Sequence, residues 1–199
     1  MFIKKYFPIF QYINIPNTIT TVGLCFGVAA CYFLVAGNLK GILVCLSLAM
    51  LMDFFDGFFA GKLNSRTTFG QSLDSLVDFF VCCVMPVLMV FTFVGSGLPL
   101  IIAAAFYCAC GLWRLSYYNI TAAEKRSYFT GMPVPGAALF AAMAIWSVSY
   151  YELSTWLMVA VLVFAGSLMV SFIKLKKYGL WQKALWVIGV VFLIVAIVL

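Results

Sequence analysis

Asp53-Phe54-Phe55-Asp56-Gly57-Phe58-Phe59-Ala60-Gly61, followed by Gly70-Gln71-Ser72-Leu73-Asp74-Ser75-Leu76-Val77-Asp78, is the stretch that decides how the chain is read. It holds all four aspartates of a 199-residue protein. They lie at or near the ends of two apolar segments, in a chain that is 66% hydrophobic. A carboxylate at the centre of a membrane helix costs about 2.5–3.5 kcal/mol, and less toward the interface. Ionisable groups kept in such a place mark a functional site by default. Spacing sharpens the reading. Asp53, Asp56, Gly57 and Ala60 recur at i, i+3, i+4, i+7, one face of an α-helix. Gly70, Asp74 and Asp78 recur at i, i+4, i+8, again one face. Lys62, Asn64, Ser65, Arg66, Thr67 and Thr68 form a polar turn between them. That turn makes the two helices antiparallel and brings both aspartate faces to the same membrane surface. Four carboxylates without a cation of matching charge suit hard divalent ions: Mg2+, Mn2+ or Ca2+. Two such ions balance four negative charges. The glycines leave room for a ligand to approach the backbone.

Composition sets the class. Mean hydropathy is +1.14. Charged residues make up 9%, against about 25% in ordinary globular chains. We expect an all-α, polytopic integral membrane bundle of about six to eight spans, folded as a single domain over residues 1–199. The net charge of +6 calls for no nucleic acid, because the positive residues fall in short loops. The seven cysteines all lie in apolar segments, where thiols act as small hydrophobes. The chain has no histidine, which argues against a zinc site.

In order along the chain, residues 1–15 mix Lys4 and Lys5 with Phe7, Phe10 and Tyr12 and read as a segment lying on the membrane surface. The apolar run after it is too long for a cleaved signal peptide. Spans are expected over 16–36, 40–60, 70–94, 99–118, 136–150, 154–173 and 181–199. Lysine and arginine bias orients them. With the N-terminus in the cytoplasm, eleven positive residues fall on that side and only Lys40 on the other. The aspartates then open to the cytoplasm, across the cell membrane from Lys40.

These residues resemble the CDP-alcohol phosphotransferases, whose pattern is D-x2-D-G-x2-A-R-x8-G-x3-D-x3-D. Asp53, Asp56, Gly57, Ala60, Gly70, Asp74 and Asp78 match it at the family's spacing. Gly61 stands where the family usually has arginine; Lys62 and Arg66 are candidates to replace that charge. Leu73-Asp74-Ser75-Leu76, Arg114-Leu115-Ser116-Tyr117-Tyr118-Asn119 and Phe129-Thr130-Gly131-Met132-Pro133-Val134-Pro135 resemble stretches of the bacterial and archaeal phosphatidylserine synthases. Pro16-Asn17 resembles their opening.

The resemblance implies a membrane transferase that moves a phosphatidyl group from CDP-diacylglycerol to a small alcohol, with L-serine as first choice, and releases CMP. It implies two Mg2+ or Mn2+ ions held by Asp53, Asp56, Asp74 and Asp78, with Asp78 also the candidate catalytic base. Asn17, Asp53, Gly57, Ala60, Gly70 and Asp74 would line the nucleotide site. Arg114 and Asn119 would meet the acceptor or a phosphate. It also implies a homodimer in the bilayer.

Other readings stand beside these. Gly57 and Gly61 form a G-x-x-x-G that serves helix packing alone, though this leaves the aspartates unexplained. Arg114 reads either as a snorkelling positive-inside residue or as an anion contact. Its place beside the aspartates favours the second. Lys125 and Arg126 read as attracting anionic headgroups. With a phosphorylated acceptor, inositol phosphate or glycerol phosphate, they would join Arg114 in a cation cluster. A cation transporter using the aspartates is the reading from another class. It calls for related halves, and no internal repeat is apparent.

Overall fold

The structure is a computed structural model that describes residues 8–121, 128–176 and 180–198. Among the described residues there are eight α-helices: α1 (Ile15–Val35), α2 (Leu39–Lys62), α3 (Thr68–Asp78), α4 (Met85–Phe93), α5 (Leu98–Thr121), α6 (Val134–Tyr151), α7 (Thr155–Met169) and α8 (Leu180–Val198). Among the described residues, five helical stretches are long and apolar enough to cross a membrane: α1, α2, the continuous run Thr68–Phe93, α5 and α6. Thr155–Met169 and Val187–Val198 are shorter apolar helical stretches. The architecture is the expected all-α polytopic membrane bundle. Of the surface segment expected over 1–15, residues 1–7 lie outside the described residues. Pro8–Tyr12 forms a 3-10 turn, with Ile9, Phe10 and Ile13 exposed.

Local chemistry starts the helices. The Asn14 side chain accepts from the Asn17 amide at 2.9 Å, with Pro16 in the first turn of α1. Asn38 caps α2 through the Gly41 amide at 2.9 Å. Thr67 caps α3 through the Gly70 amide at 3.0 Å. Each cap satisfies a donor that the first turn of a helix leaves unpaired. Between spans, tight turns reverse the chain: Gly37 has φ +66 and Glu152 has φ +51.

Inside a bilayer, helices associate by close packing rather than by expelling water, so small residues gather at their contacts. Ala30, Ala49, Ala103, Ala104, Ala137, Ala141 and Ala165 are all buried. Met85, Met89, Met158 and Met169 fill the gaps between them. The outward faces carry large apolar side chains such as Val35, Trp113, Phe164 and Phe172, as a lipid-facing surface requires. All seven cysteines are free thiols.

Two features depart from the sequence reading. The span expected as one regular helix over 70–94 contains a π-helical turn, Phe79–Val84, directly after Asp78. Such a turn displaces backbone carbonyls, and neighbours on α5 accommodate it. The buried Tyr107 hydroxyl donates to the Cys82 carbonyl at 2.8 Å. Gly111 lets Cys83 approach so closely that a Cβ there would lie 2.3 Å from its Sγ. The second departure is a short antiparallel ribbon of β1 (Tyr128–Thr130) and β2 (Lys174–Lys176), pairing Phe129 with Leu175. Gly131, at φ +73, turns the chain out of β1. Its amide donates to the Ile173 carbonyl at 2.9 Å, fastening the entry to α6 beneath the end of α7.

Charge is segregated by this topology. Lys62, Arg66, Lys174 and Lys176 lie at the end of the bundle that holds the aspartates. Lys40, at the other end, donates to the Ile197 carbonyl near the end of α8 at 3.0 Å. Lys4, Lys5, Lys125, Arg126 and Lys177 lie outside the described residues.

Candidate active site

The antiparallel α2 and α3 bring three carboxylates together. Oxygens of Asp53, Asp56 and Asp74 all lie within 4.8 Å of one another. Asp56 is buried, and Asp53 and Asp74 are half-buried. Three converging oxygen ligands at that separation fit a hard divalent cation, which takes carboxylate oxygens at about 2.0–2.6 Å. Asp78 stands one turn beyond Asp74 and outside this trio. All four aspartates nonetheless line one narrow cleft, together with Thr20 and Gly23 of α1.

Thr20 was not among the sequence candidates. Its hydroxyl is within hydrogen-bond reach of Asp56 Oδ2 and, at 3.1 Å, of the Pro16 carbonyl. A hydroxyl has one proton to give, and a charged acceptor binds it more strongly. Thr20 thus orients Asp56 from the neighbouring helix.

Asn17 and Gly70 belong together. A Cβ at Gly70 would lie 2.6 Å from Asn17 Oδ1, so only glycine admits this contact between α3 and α1. The Asn17 amide group donates to the Tyr12 carbonyl at 2.8 Å. Gly57 faces open space, with nothing near the position of an added Cβ. Ala60 is half-buried one turn further on. Arg66 reaches back from the turn to Gly61, its Nη2 lying 3.5 Å from where a Cβ would stand, an ordinary contact distance.

Arg114 closes the other side. It is 8% exposed and lines a larger cavity with Asp53, Asp74 and Asp78. Its guanidinium lies 5.2 Å from the Tyr118 ring centre and 5.8 Å from that of Phe129, which gives it cation–π support. Its Nε is buried and has no hydrogen-bond partner among the described residues. A buried guanidinium beside carboxylates on a cavity wall is equipped to hold an anion.

Asn119 is placed differently from Arg114. Its side-chain oxygen accepts from Ser75 Oγ at 2.9 Å and from Gln71 Nε2 at 3.1 Å. Gln71 also reaches its backbone carbonyl at 3.2 Å. Asn119 therefore pins α5 to α3 at Gln71 and Ser75, which flank the aspartates at helical spacing. Of its side chain, only the Nδ2 donors remain uncommitted to this clamp.

A membrane-embedded helical bundle with clustered carboxylates at one end, faced by a buried arginine, is the frame of a lipid-modifying transferase. The chain belongs to the CDP-alcohol phosphatidyltransferase family, whose profile matches residues 13–169. It is similar to the CDP-diacylglycerol–serine O-phosphatidyltransferase of Bacillus subtilis, with 35% identity over 125 residues, 62% of this chain and 70% of the relative. It is 27% identical to the archaetidylserine synthase of Methanothermobacter thermautotrophicus over 171 residues, 84% of this chain and 71% of the relative. A shorter stretch of 65 residues is 42% identical to the CDP-diacylglycerol–glycerol-3-phosphate 3-phosphatidyltransferase of Aquifex aeolicus, over 33% of this chain and 36% of the relative.

Proposed function

We propose that this transferase moves a phosphatidyl group from CDP-diacylglycerol to L-serine and releases CMP. The observation that carries the reading is one cavity wall that holds Asp53, Asp74, Asp78 and the buried Arg114 together. The donor's pyrophosphate would lie along the Asp53–Asp56–Asp74 trio. Those three would hold Mg2+ or Mn2+, two ions with Asp78 at the margin. Bound there, the metals polarise the phosphoryl group and offset charge on the departing CMP. Gly57 leaves the α2 face open to the nucleotide, with Ala60, Gly70 and Asn17 around it. Arg66 takes the place of the family's arginine at the phosphates.

Arg114 would grip the serine carboxylate as a planar fork and aim its hydroxyl at the phosphatidyl phosphorus. Asp78 would receive the hydroxyl proton. The oxygen–phosphorus bond forms as the bond from phosphorus to the CMP oxygen breaks. Among the side chains facing this cavity, a carboxylate is the suitable proton acceptor, since the protein has no histidine. The charge bias supports placing this end of the bundle, and the N-terminus, at the cytoplasmic face. The resemblance to the family supports a homodimer.

The test is CMP release from CDP-diacylglycerol by purified protein, with serine, glycerol phosphate and inositol phosphate offered in turn. Serine-dependent release that stops on chelation of divalent metal is expected. Release driven by a phosphorylated acceptor alone would overturn serine. CMP release that persists undiminished in excess EDTA would overturn the metal assignment.

A further inference from the structure

Pro86 sits inside the continuous helical run Thr68–Phe93. In a regular α-helix the amide at this position would donate to the Cys82 carbonyl, four residues back. Proline has no N–H to give, and its ring crowds that carbonyl. The backbone here takes the π-helical turn Phe79–Val84, in which the Met85 amide reaches five residues back to the Phe80 carbonyl. The Cys82 carbonyl takes a donor from another helix. Tyr107 of α5, whose side chain is fully buried, donates its hydroxyl at 2.8 Å.

The extra residue changes what faces the aspartates. Asp74, Asp78, Val81 and Pro86 line one cavity wall, at steps of four, three and five residues. Steps of four and three keep to one face of an α-helix, and a step of five does not. Closing the turn to a regular α-helix would rotate one side against the other by about 100°, the angle of one residue at 3.6 per turn. Neither side is free to follow. Asn119 holds α3 at Gln71 and Ser75. Met85, Met89 and Val90 of α4 are buried in the core. A shift in the turn is therefore taken up at its first neighbour, Asp78, while Asp74, one helical turn away, keeps its place beside Asp53 and Asp56.

We propose that Tyr107 is a positioning residue for the transfer reaction. By holding the Cys82 carbonyl it keeps the turn opened by Pro86 in its π form, and so aims Asp78 into the cavity. It acts through the backbone and not on the substrate. The inference rests on the proton-accepting role proposed above for Asp78.

Tyr107→Phe removes the hydroxyl and keeps the ring. Serine-dependent CMP release and the melting temperature are measured for this variant, for Tyr107→Phe combined with Pro86→Ala, and for Asp78→Asn. Misplacing a reacting group by about 1 Å costs about 10²-fold, so kcat of Tyr107→Phe should fall about ten- to hundredfold, with the donor KM within about twofold of wild type. Its melting temperature should fall too, because a buried carbonyl loses its partner. Adding Pro86→Ala offers that carbonyl an N–H again, and the melting temperature should recover. Turnover should not, since the regular bond now favours the closed turn. Recovery of both together would mean that Tyr107 only satisfies a carbonyl, and would overturn the proposal. So would wild-type kcat in Tyr107→Phe, or a rise in donor KM equal to the fall in kcat. Asp78→Asn separates this failure from that of the underlying reading. Wild-type kcat in that variant sinks the base assignment and the positioning role with it, whereas a slow Asp78→Asn beside a wild-type Tyr107→Phe leaves the base standing and removes Tyr107 alone. If Tyr107→Phe does not fold, Gly111→Ala presses on the same turn, because an added Cβ runs into Cys83 Sγ. There kcat should fall, and Cys83→Ala in that background should restore it; unchanged turnover in Gly111→Ala would overturn the proposal.

Discussion

Thr20→Val removes one proton donor and preserves shape. Thr20 stands on α1, and Asp56 lies 36 positions away on α2. The hydrogen bond between them is buried, and the Val methyl occupies the space of the hydroxyl. A hydrogen bond to a charged group contributes about 1.5–3 kcal/mol. Part of that value is returned in the variant, because Asp56 then relies more on its cation. The orientation of the ligand is lost nonetheless. At 1.4 kcal/mol per factor of ten, the half-saturating Mn2+ concentration should rise by about tenfold or more. Thr20→Ser, which keeps the hydroxyl, should stay close to wild type. The assay is a Mn2+ titration of CMP release at saturating donor, run beside a melting curve with and without Mn2+. In wild type, Mn2+ should raise the melting temperature by the mass action of a ligand that binds only the folded state. In Thr20→Val the rise should shrink. An unchanged Mn2+ dependence in both measurements would refute the view that Thr20 orients a metal-binding carboxylate.

Further outcomes follow from the same geometry. Asp74→Asn should lose donor binding together with metal binding, whereas Asp78→Asn should keep most donor affinity and lose about 10²–10⁴-fold in the chemical step; parallel loss of donor binding in both would end the base assignment. Arg66→Ala should raise the donor KM by about tenfold, the scale of one charge-assisted hydrogen bond, and Gly61→Arg in that background should restore it; full activity of Arg66→Ala alone would refute the replacement. Arg114→Lys should raise the serine KM more than it lowers kcat, because an ammonium cannot fork a carboxylate; an effect on kcat alone would place Arg114 outside the acceptor contact. In a cysteine-free background that retains function, Asn64→Cys should be labelled from the cytoplasmic side and Leu153→Cys from the opposite side; the reverse pattern would invert the topology.

What the sequence made legible and what it left hidden divide along a physical line. Period and spacing belong to a single helix, so the faces bearing Asp53 and Asp56, and Asp74 and Asp78, could be read from residue numbers alone. The polar turn around Asn64 then set the two faces side by side. Contacts between distant helices have no such period. A threonine in an apolar helix most simply bonds back to the carbonyl four residues earlier. Thr20 has that option at Pro16, and nothing local points to Asp56. The ribbon was hidden for a similar reason. Lys174-Leu175-Lys176 alternates over too few residues to read as a strand, and it becomes one only when Tyr128–Thr130 is laid against it. The π-turn after Asp78 depends on Tyr107 and Gly111 from α5, one filling a carbonyl and the other yielding space. Asn119 is a further case. Its polar type and its place in a family-like stretch make it an acceptor candidate, and packing adds what the sequence could not show, that its side-chain oxygen accepts from Gln71 and Ser75. Arg114, five residues earlier on the same helix, has a buried Nε with no partner among the described residues. A half-buried amide whose oxygen is shared by two donors holds helices in place, whereas a buried guanidinium on a cavity wall is placed to meet a ligand. That difference between two residues of α5 is a property of the packed molecule, and it is the reason we propose Arg114 for the acceptor contact.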